Sequence, residues 1–112
     1  MVRRKKKIKL TWTPRAREEL RGILDFYLVR NLSSRYGDRL KKQIKERMDL
    51  VCSFPESGQK IENGPGRYVV VEHFVILFEV IGDYVIVQRV CDGRRDLDFL
   101  NTGENDVNDG ID

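Results

Sequence analysis

Three apolar segments in the second half of the chain, separated from one another by only two residues each, constrain the fold more than any other feature. They are Arg67–Val71, Phe74–Ile81 and Tyr84–Cys91, and they are rich in the β-branched and aromatic residues that favour strands. A two-residue connection joins antiparallel neighbours, because parallel strands need a crossover of a dozen or more residues. Glu72-His73 and Gly82-Asp83 are therefore predicted hairpin turns, and the three segments are predicted to form an antiparallel meander.

Two amphipathic helices are predicted before the meander. The first begins at Thr13-Pro14, with the threonine as N-cap and the proline at the first helical position, where its missing N–H costs nothing. Its apolar residues follow at helical spacing to about residue 30: Ala16, Leu20, Ile23, Leu24, Tyr27 and Leu28. After a break at 31–34, a second apolar stripe ends shortly before Pro55: Tyr36, Leu40, Ile44, Met48, Val51 and Cys52.

A short strand is predicted ahead of the first helix, because Ile8, Leu10 and Trp12 alternate with polar residues. The element order is then β-α-α-β-β-β. The sequence thus predicts an α+β fold in which a helical hairpin packs on one face of a small, mainly antiparallel sheet. The side chains predicted to be buried between the two layers are Leu24, Ile44, Met48, Ile76, Phe78 and Ile86.

Length and composition indicate one globular domain. The 112 residues suit a single core, 35% of them are charged, and the apolar runs are far shorter than the roughly 20 residues of a membrane span. Residues 8–100 are predicted to be this domain, 1–7 a basic flexible tail and 101–112 an acidic flexible tail. The two cysteines have no zinc-like spacing, and no nucleotide-binding or metal-binding motif is present, so no cofactor or metal is expected.

The segment after the last predicted strand carries the candidate functional residues. Asp92-Gly93 reads as a turn, and Arg94, Arg95 and Asp96 follow it directly. Arginines fixed at the rim of a sheet can bind phosphate bidentately, pair with structural acids, or bind the carboxylates of a protein partner. Neighbouring strand ends are expected to bring together Arg67, Arg89, Arg94 and Arg95. The only histidine, His73, is either a proton-transfer group or a turn residue without a role.

The chain resembles the ParE/RelE superfamily of bacterial type II toxins over roughly residues 8–100. The resemblance rests on the element order and on three segments, WTPRAREEL, FVILFEV and RVCDGRRDLDFL. The last segment is similar to the ParE branch, the plasmid-stabilisation proteins, in which a histidine commonly precedes the glycine; here Asp92 stands in that place. The resemblance implies a cytoplasmic toxin that inhibits growth and is neutralised by a cognate antitoxin.

The superfamily has two activities, which imply different site residues. ParE-like members inhibit DNA gyrase without nuclease activity, which implies target binding through Arg89, Arg94, Arg95 and Asp96. RelE-like members are endoribonucleases that cut mRNA on the ribosome, which implies catalysis by Arg67, His73, Arg94 and Arg95. Val75 and Asn101 stand near positions where RelE-like members have a basic residue and a tyrosine. The resemblance therefore favours the gyrase inhibitor, with the ribonuclease or an inactive interaction module of the same fold as alternatives; neither a membrane nor a small-molecule substrate is implied.

Overall fold

A computed structural model describes residues 8–95. The tails predicted at 1–7 and 101–112, and the end of the predicted domain at 96–100, lie outside these residues. Within residues 8–95, no helix is both long enough and apolar enough to cross a membrane. The elements in chain order are β1 (Lys9–Trp12), α1 (Pro14–Asn31), α2 (Arg35–Ser53), a 3-10 turn (Pro55–Ser57), β2 (Gln59–Lys60), β3 (Arg67–Val71), β4 (Phe74–Ile81) and β5 (Tyr84–Asp92).

The strands form one sheet in the order β1-β5-β4-β3-β2. β3, β4 and β5 are the predicted meander, and β2 adds to it antiparallel to β3. β1 pairs with β5 in parallel, from Lys9 opposite Tyr84 to Trp12 opposite Val87. A parallel pair needs a long crossover, which the helical hairpin and the rest of the meander supply. The predicted α+β class, with two helices packed on a mainly antiparallel sheet, is confirmed.

Local capping explains where the two helices begin and how they are joined. Thr13 has an extended backbone, and its Oγ1 accepts a hydrogen bond from the Ala16 N–H at 3.1 Å, as expected of an N-cap. α1 ends at Leu32, whose φ of 55° lies in the left-handed region. Before α2, the Ser33 hydroxyl accepts a hydrogen bond from the Arg35 N–H at 3.1 Å, whereas the Ser34 hydroxyl makes no capping bond and donates to Asp38 at 3.1 Å. The connection between the helices is therefore only three residues long, 32–34, which favours an antiparallel hairpin.

The segment between α2 and β3 contains structure that sequence periodicity did not predict. Its polar, Gly-rich composition indicated an irregular loop, but Gln59 and Lys60 pair with Tyr68 and Arg67. Two residues are too few to show an alternating pattern, so this strand is visible only once its partner is placed. Gly58 lets the segment approach the sheet closely, because an added Cβ would lie 2.7 Å from the ring of Phe78.

The core lies between the helices and one face of the sheet, largely as predicted. Ile44, Met48, Ile76 and Phe78 are almost completely buried. Leu24 is only partly buried, although it packs against the same cluster. The second helix thus contributes more of the central core than the first, since the fully buried α1 side chain is that of Ala16.

Ile86 is not a core residue, and this prediction was wrong. Val85 and Val87 are fully buried, whereas Ile86 pairs with Glu79 on the opposite face of the sheet and is half-buried. Val85, Ile86 and Val87 are all apolar, so this part of β5 shows no alternation of apolar and polar residues. The sequence therefore does not indicate whether the odd- or the even-numbered residues face the helices.

A β-bulge then changes which residues of β5 face the core: odd-numbered residues before it and even-numbered residues after it. Phe78 is opposite Val87 and Leu77 is opposite Arg89, so Gln88 is an extra residue. After the bulge Val90 faces the core, and Arg89 shares a face with Leu77. The bulge therefore determines which way the arginine of β5 points.

The two hairpin turns of the meander give a matched test of backbone strain. Glu72 and Gly82 each occupy the first position of a two-residue connection, with φ of 60° and 61°. Glycine adopts positive φ freely, whereas a residue with a Cβ is strained there by about 1 kcal/mol or more. We expect Gly82→Ala to lower the free energy of unfolding by about 1 kcal/mol and Glu72→Gly to raise it by about 0.5–1 kcal/mol, both measured by urea unfolding. Equal effects of the two substitutions would contradict this interpretation.

Candidate functional site

The end of β5 has no strand beside it on one edge, and residues of α1 take the place of that strand. β1 pairs with β5 only as far as Val87. Beyond it, the Thr13 N–H donates to the Val87 carbonyl at 3.0 Å and the Thr13 hydroxyl donates to the Gln88 carbonyl at 3.3 Å. The Val90 N–H donates to Glu19 Oε1 at 2.8 Å. The sheet edge is thus satisfied by the backbone and hydroxyl of Thr13 and by the Glu19 carboxylate, which fixes the start of α1 against the end of β5.

Glu19 also holds Arg89. Its Oε2 accepts a hydrogen bond from Arg89 Nε at 3.0 Å and forms an ion pair with Arg89 Nη2 at the same distance. Arg15 Nε lies 3.6 Å from this oxygen. Arg89 is largely buried, so its guanidinium is oriented by this carboxylate rather than by solvent. Sequence analysis grouped Arg89 with the target-binding residues. The structure places it in this internal pair instead of at an open rim.

Asp92 organises the turn that follows β5. Its Oδ1 accepts from the Arg94 backbone N–H at 2.9 Å and from Arg94 Nε at 3.2 Å, and its Oδ2 accepts from Arg94 Nη2 at 3.0 Å. The Arg95 N–H closes the turn by donating to the Asp92 carbonyl at 3.0 Å. These bonds form the turn predicted at Asp92-Gly93 and place Arg94 and Arg95 at its end. The hydrogen bonds from Arg94 lower the pKa of Asp92 to about 2 and raise the pKa of Arg94.

His73 lies beside this turn. Its Nε2 is buried, 4.0 Å from Asp92 Oδ2, and forms no hydrogen bond. Its carbonyl accepts from the Gly93 N–H at 2.8 Å, and its ring stacks on Phe74 with centroids 4.1 Å apart. Of the residues that the RelE-like alternative groups, His73 and Arg94 therefore lie near each other, with Asp92 between them.

Arg67 is not part of this site. Its Nη1 donates to the Gly58 carbonyl at 2.8 Å, which ties the segment before β3 to the sheet. Arg67 begins β3, whereas His73 follows the end of that strand, a separation of about 20 Å at the usual rise per residue. The strands therefore bring together Arg89, Arg94 and Arg95, and the expectation that Arg67 joins them was wrong. Asp96 lies outside the described residues, so its predicted role is still a prediction.

A groove of about 670 Å³ runs between α1 and the end of β5. We refer to it as the α1–β5 groove; its apolar lining includes Ile23, Phe26, Tyr27 and Phe74, and its charged lining consists of Glu19, Arg30, Arg89, Asp92, Arg94 and Arg95. Four arginines and two carboxylates share this surface. The groove thus combines an apolar floor with a net positive rim, which suits a partner that is both apolar and acidic.

Sequence analysis missed the contribution of α1 to this site. Glu19, Phe26 and Arg30 lie on α1, and Phe26 is 57% exposed. They follow one another at intervals of seven and four residues, so they share one side of the helix. The spacing of these three residues is visible in the sequence. However, α1 has apolar residues around most of its circumference, so the side that carries them could not be distinguished from the predicted core stripe. Leu28, assigned to that stripe, is in fact exposed.

The low pKa of Asp92 gives a test of the turn. Because the carboxyl has its pKa lowered from 3.8 to about 2 in the folded protein, its interactions stabilise the fold fully above about pH 4 and are lost as the pH falls through 2. We expect Asp92→Asn to be less stable than the unmodified chain near pH 6, and the difference in Tm to shrink steadily below pH 4. Thermal melting at a series of pH values measures this difference, and a difference that does not change with pH would show that Asp92 does not stabilise the turn through its charge.

Comparisons with known proteins were made once this geometry was established. The family model described as "ParE toxin of type II toxin-antitoxin system, parDE" matches residues 10–97. Among solved structures, a chain from "Chromosomal ParDE TA system from P. aeruginosa" superimposes with a TM-score of 0.67 at 22% identity, covering 77% of this chain and 96% of that one. A search of curated proteins by sequence found no significant match. The structural likeness supports the fold, and the family match extends over most of the chain. The chain therefore belongs to the ParE toxin family of type II toxin–antitoxin systems.

Proposed function

We propose that this chain is a growth-inhibiting toxin that acts by binding DNA gyrase, and that Arg94 and Arg95 carry the target contact of the arginine corner (Arg89, Arg94 and Arg95), in which Arg89 is held by Glu19. Membership of the ParE toxin family supports the toxin assignment. The gyrase target is proposed because the resemblance to the ParE branch implies a gyrase inhibitor. The observation that carries the site is the rigid presentation of Arg94 and Arg95. The turn that holds them is closed by hydrogen bonds of 2.9–3.2 Å to Asp92 and follows directly from a nine-residue strand.

The arrangement of the basic residues also bears on the alternative ribonuclease. A RelE-like mechanism was predicted to use Arg67 together with His73, Arg94 and Arg95. Arg67 is bound to the Gly58 carbonyl at the opposite end of β3, so these four side chains do not surround a common point. Catalysis of phosphodiester cleavage requires its charged groups within hydrogen-bonding reach of one phosphate. The geometry therefore favours binding over catalysis at this corner.

The gyrase proposal is tested with the full chain in two assays. We expect the purified protein to inhibit DNA supercoiling by gyrase, and to leave mRNA intact when it is added to translating ribosomes. The same preparation must be used in both assays, so that an inactive sample is recognised by its failure in each. Ribosome-dependent cleavage without gyrase inhibition would replace this proposal by the ribonuclease.

Family membership also implies an antitoxin partner. We propose that it is encoded next to the toxin gene and that its acidic C-terminal segment covers the helical hairpin and reaches the arginine corner, so that the target cannot bind. Expression of this chain alone should arrest growth, and co-expression with the neighbouring open reading frame should restore it. A chain that is harmless at high expression and binds no product of a neighbouring gene would contradict the toxin assignment itself.

A further inference from the structure

The four arginines of the α1–β5 groove fall into two pairs that differ in their bonding. Arg89 is held by Glu19 at 3.0 Å and Arg94 by Asp92 at 3.0 Å. Among residues 8–95, no carboxylate lies within 4.0 Å of either Arg30 or Arg95. Two arginines are therefore neutralised from within the domain, and two present their charge to an incoming ligand.

The second pair lies beside an exposed apolar surface on α1. Phe26 is one helical turn before Arg30, and Val29 adjoins it. Both Phe26 and Val29 are exposed, and an added Cβ on Gly22, one turn earlier, would meet nothing within 4 Å. Aromatic residues and arginine are enriched at protein interfaces, and arginine is common among the residues that contribute most of the binding energy.

The edge of β5 limits how a partner can bind here. Thr13 and Glu19 already pair with the backbone of Val87, Gln88 and Val90. A strand added at this edge would have to break those bonds before forming its own. A partner that uses its side chains meets no such cost. The groove is thus suited to an amphipathic segment whose apolar side chains cover Phe26 and whose acids reach the arginines.

We propose that Arg30, Arg95 and Phe26 form the recognition surface for the acidic segment of the antitoxin, whereas Arg89 and Arg94 are positioning residues held by Glu19 and Asp92. This inference rests on the proposed function, because it takes the antitoxin as the occupant. It assigns a binding role to Arg30 and Phe26, which lie on α1, far along the chain from the arginine cluster. It also makes Glu19 and Asp92 the groups that set the charge of the groove.

The test measures binding of the full chain to the product of the neighbouring open reading frame by calorimetric titration. Arg30→Gln and Arg95→Gln should each weaken binding by about fivefold or more, and Phe26→Ala by at least about tenfold, with Tm nearly unchanged. The double variant Arg30→Gln/Arg95→Gln should also bind with a weaker dependence on salt, because two exposed charges are lost.

Two further variants separate recognition from structure. Lys60→Gln removes one exposed positive charge from β2, at the other edge of the sheet and outside the groove lining, so we expect binding within about threefold of the unmodified chain. Glu19→Gln keeps an acceptor for the Val90 N–H but releases the charge of Arg89, so we expect binding to tighten by about three- to tenfold while Tm falls. A purely structural Glu19 would lower Tm without tightening binding.

The outcomes distinguish this inference from the function on which it rests. If the neighbouring protein binds tightly and neither Arg30→Gln nor Arg95→Gln weakens it, the recognition surface is wrong and the toxin assignment stands. The same conclusion follows if Lys60→Gln weakens binding as much as the Arg30 and Arg95 variants do. If the neighbouring protein does not bind at all, this inference and the proposed antitoxin are overturned, whereas growth arrest and gyrase inhibition by the chain alone still test the toxin assignment.

Discussion

Truncation of Phe78 to alanine should lower the free energy of unfolding by about 3–5 kcal/mol. The side chain is fully buried in the cluster between α2 and the sheet. Its ring also lies against Gly58, close enough that a Cβ there would approach it to 2.7 Å. Removal of the ring therefore leaves a cavity. The hydrophobic core lies on one side of this cavity, and the segment that contains Gly58 and β2 lies on the other. Urea unfolding monitored by circular dichroism measures the loss.

Val80 provides the matched control for this prediction. It lies two residues further along β4 on the same face, but it is 40% exposed. Val80→Ala should therefore cost less than about 1 kcal/mol. Gly58→Ala approaches the same ring from the opposite side and should cost about 1–3 kcal/mol, because the fully packed ring has little room to move. If Phe78→Ala cost no more than Val80→Ala, the assignment of the core to this face of the sheet would be incorrect.

The meander could be predicted closely because its evidence is local. β3 and β4 have the predicted bounds, and β5 extends one residue further, to Asp92. Two-residue connections leave only one way to pair consecutive strands. The place of β1 could not be predicted in the same way, because its partner β5 is more than seventy residues away along the chain. Nothing in a four-residue strand specifies a distant partner.

The errors at the candidate site also have local causes. Ile86 was assigned to the core because three consecutive apolar residues hide the parity of β5, and the bulge at Gln88 cannot be read from periodicity. The role of Glu19 depends on a contact with Val90 across 71 positions. A glutamate early in a helix is ordinarily explained by its favourable interaction with the helix dipole. The sequence therefore gives no reason to expect that Glu19 also binds the end of β5. The positions of Arg94 and Arg95 were predictable because both follow one turn, whereas Arg89 lies within β5 and Arg67 at the start of β3.

Replacement of Arg95 by alanine should abolish most of the growth inhibition and leave the fold intact. Arg95 is exposed, follows the turn closed by Asp92, and lines the α1–β5 groove. Exposed ion pairs contribute only about 0–1 kcal/mol, so Tm should change by no more than a few degrees. If its charge contacts the target, the concentration needed to inhibit gyrase should rise by about tenfold or more.

Arg94→Ala is the matched variant one residue earlier, and the structure predicts a different result for it. Arg94 forms three hydrogen bonds to Asp92, so its removal leaves that carboxylate without its main partner. The backbone bond from residue 94 survives the substitution, which limits the damage to the turn. We expect a measurable fall in Tm and a smaller loss of toxicity than for Arg95→Ala. Asp96→Ala is predicted to reduce both stability and toxicity, because a carboxylate next to Arg95 in the chain can position its guanidinium or cap the following turn.

Growth inhibition and thermal melting must be measured on the same three variants, because either readout alone is ambiguous. A loss of toxicity with a large fall in Tm would mean only that the toxin unfolds. A stable Arg95→Ala protein that remains fully toxic would remove the arginine corner from the mechanism. The target contact would then have to lie elsewhere on the helical hairpin, where Phe26 and Val29 are the exposed apolar residues nearest the groove. The reverse result, a stable and harmless Arg95→Ala protein, would place the target contact at the end of β5, where a partner covering the groove would also block it.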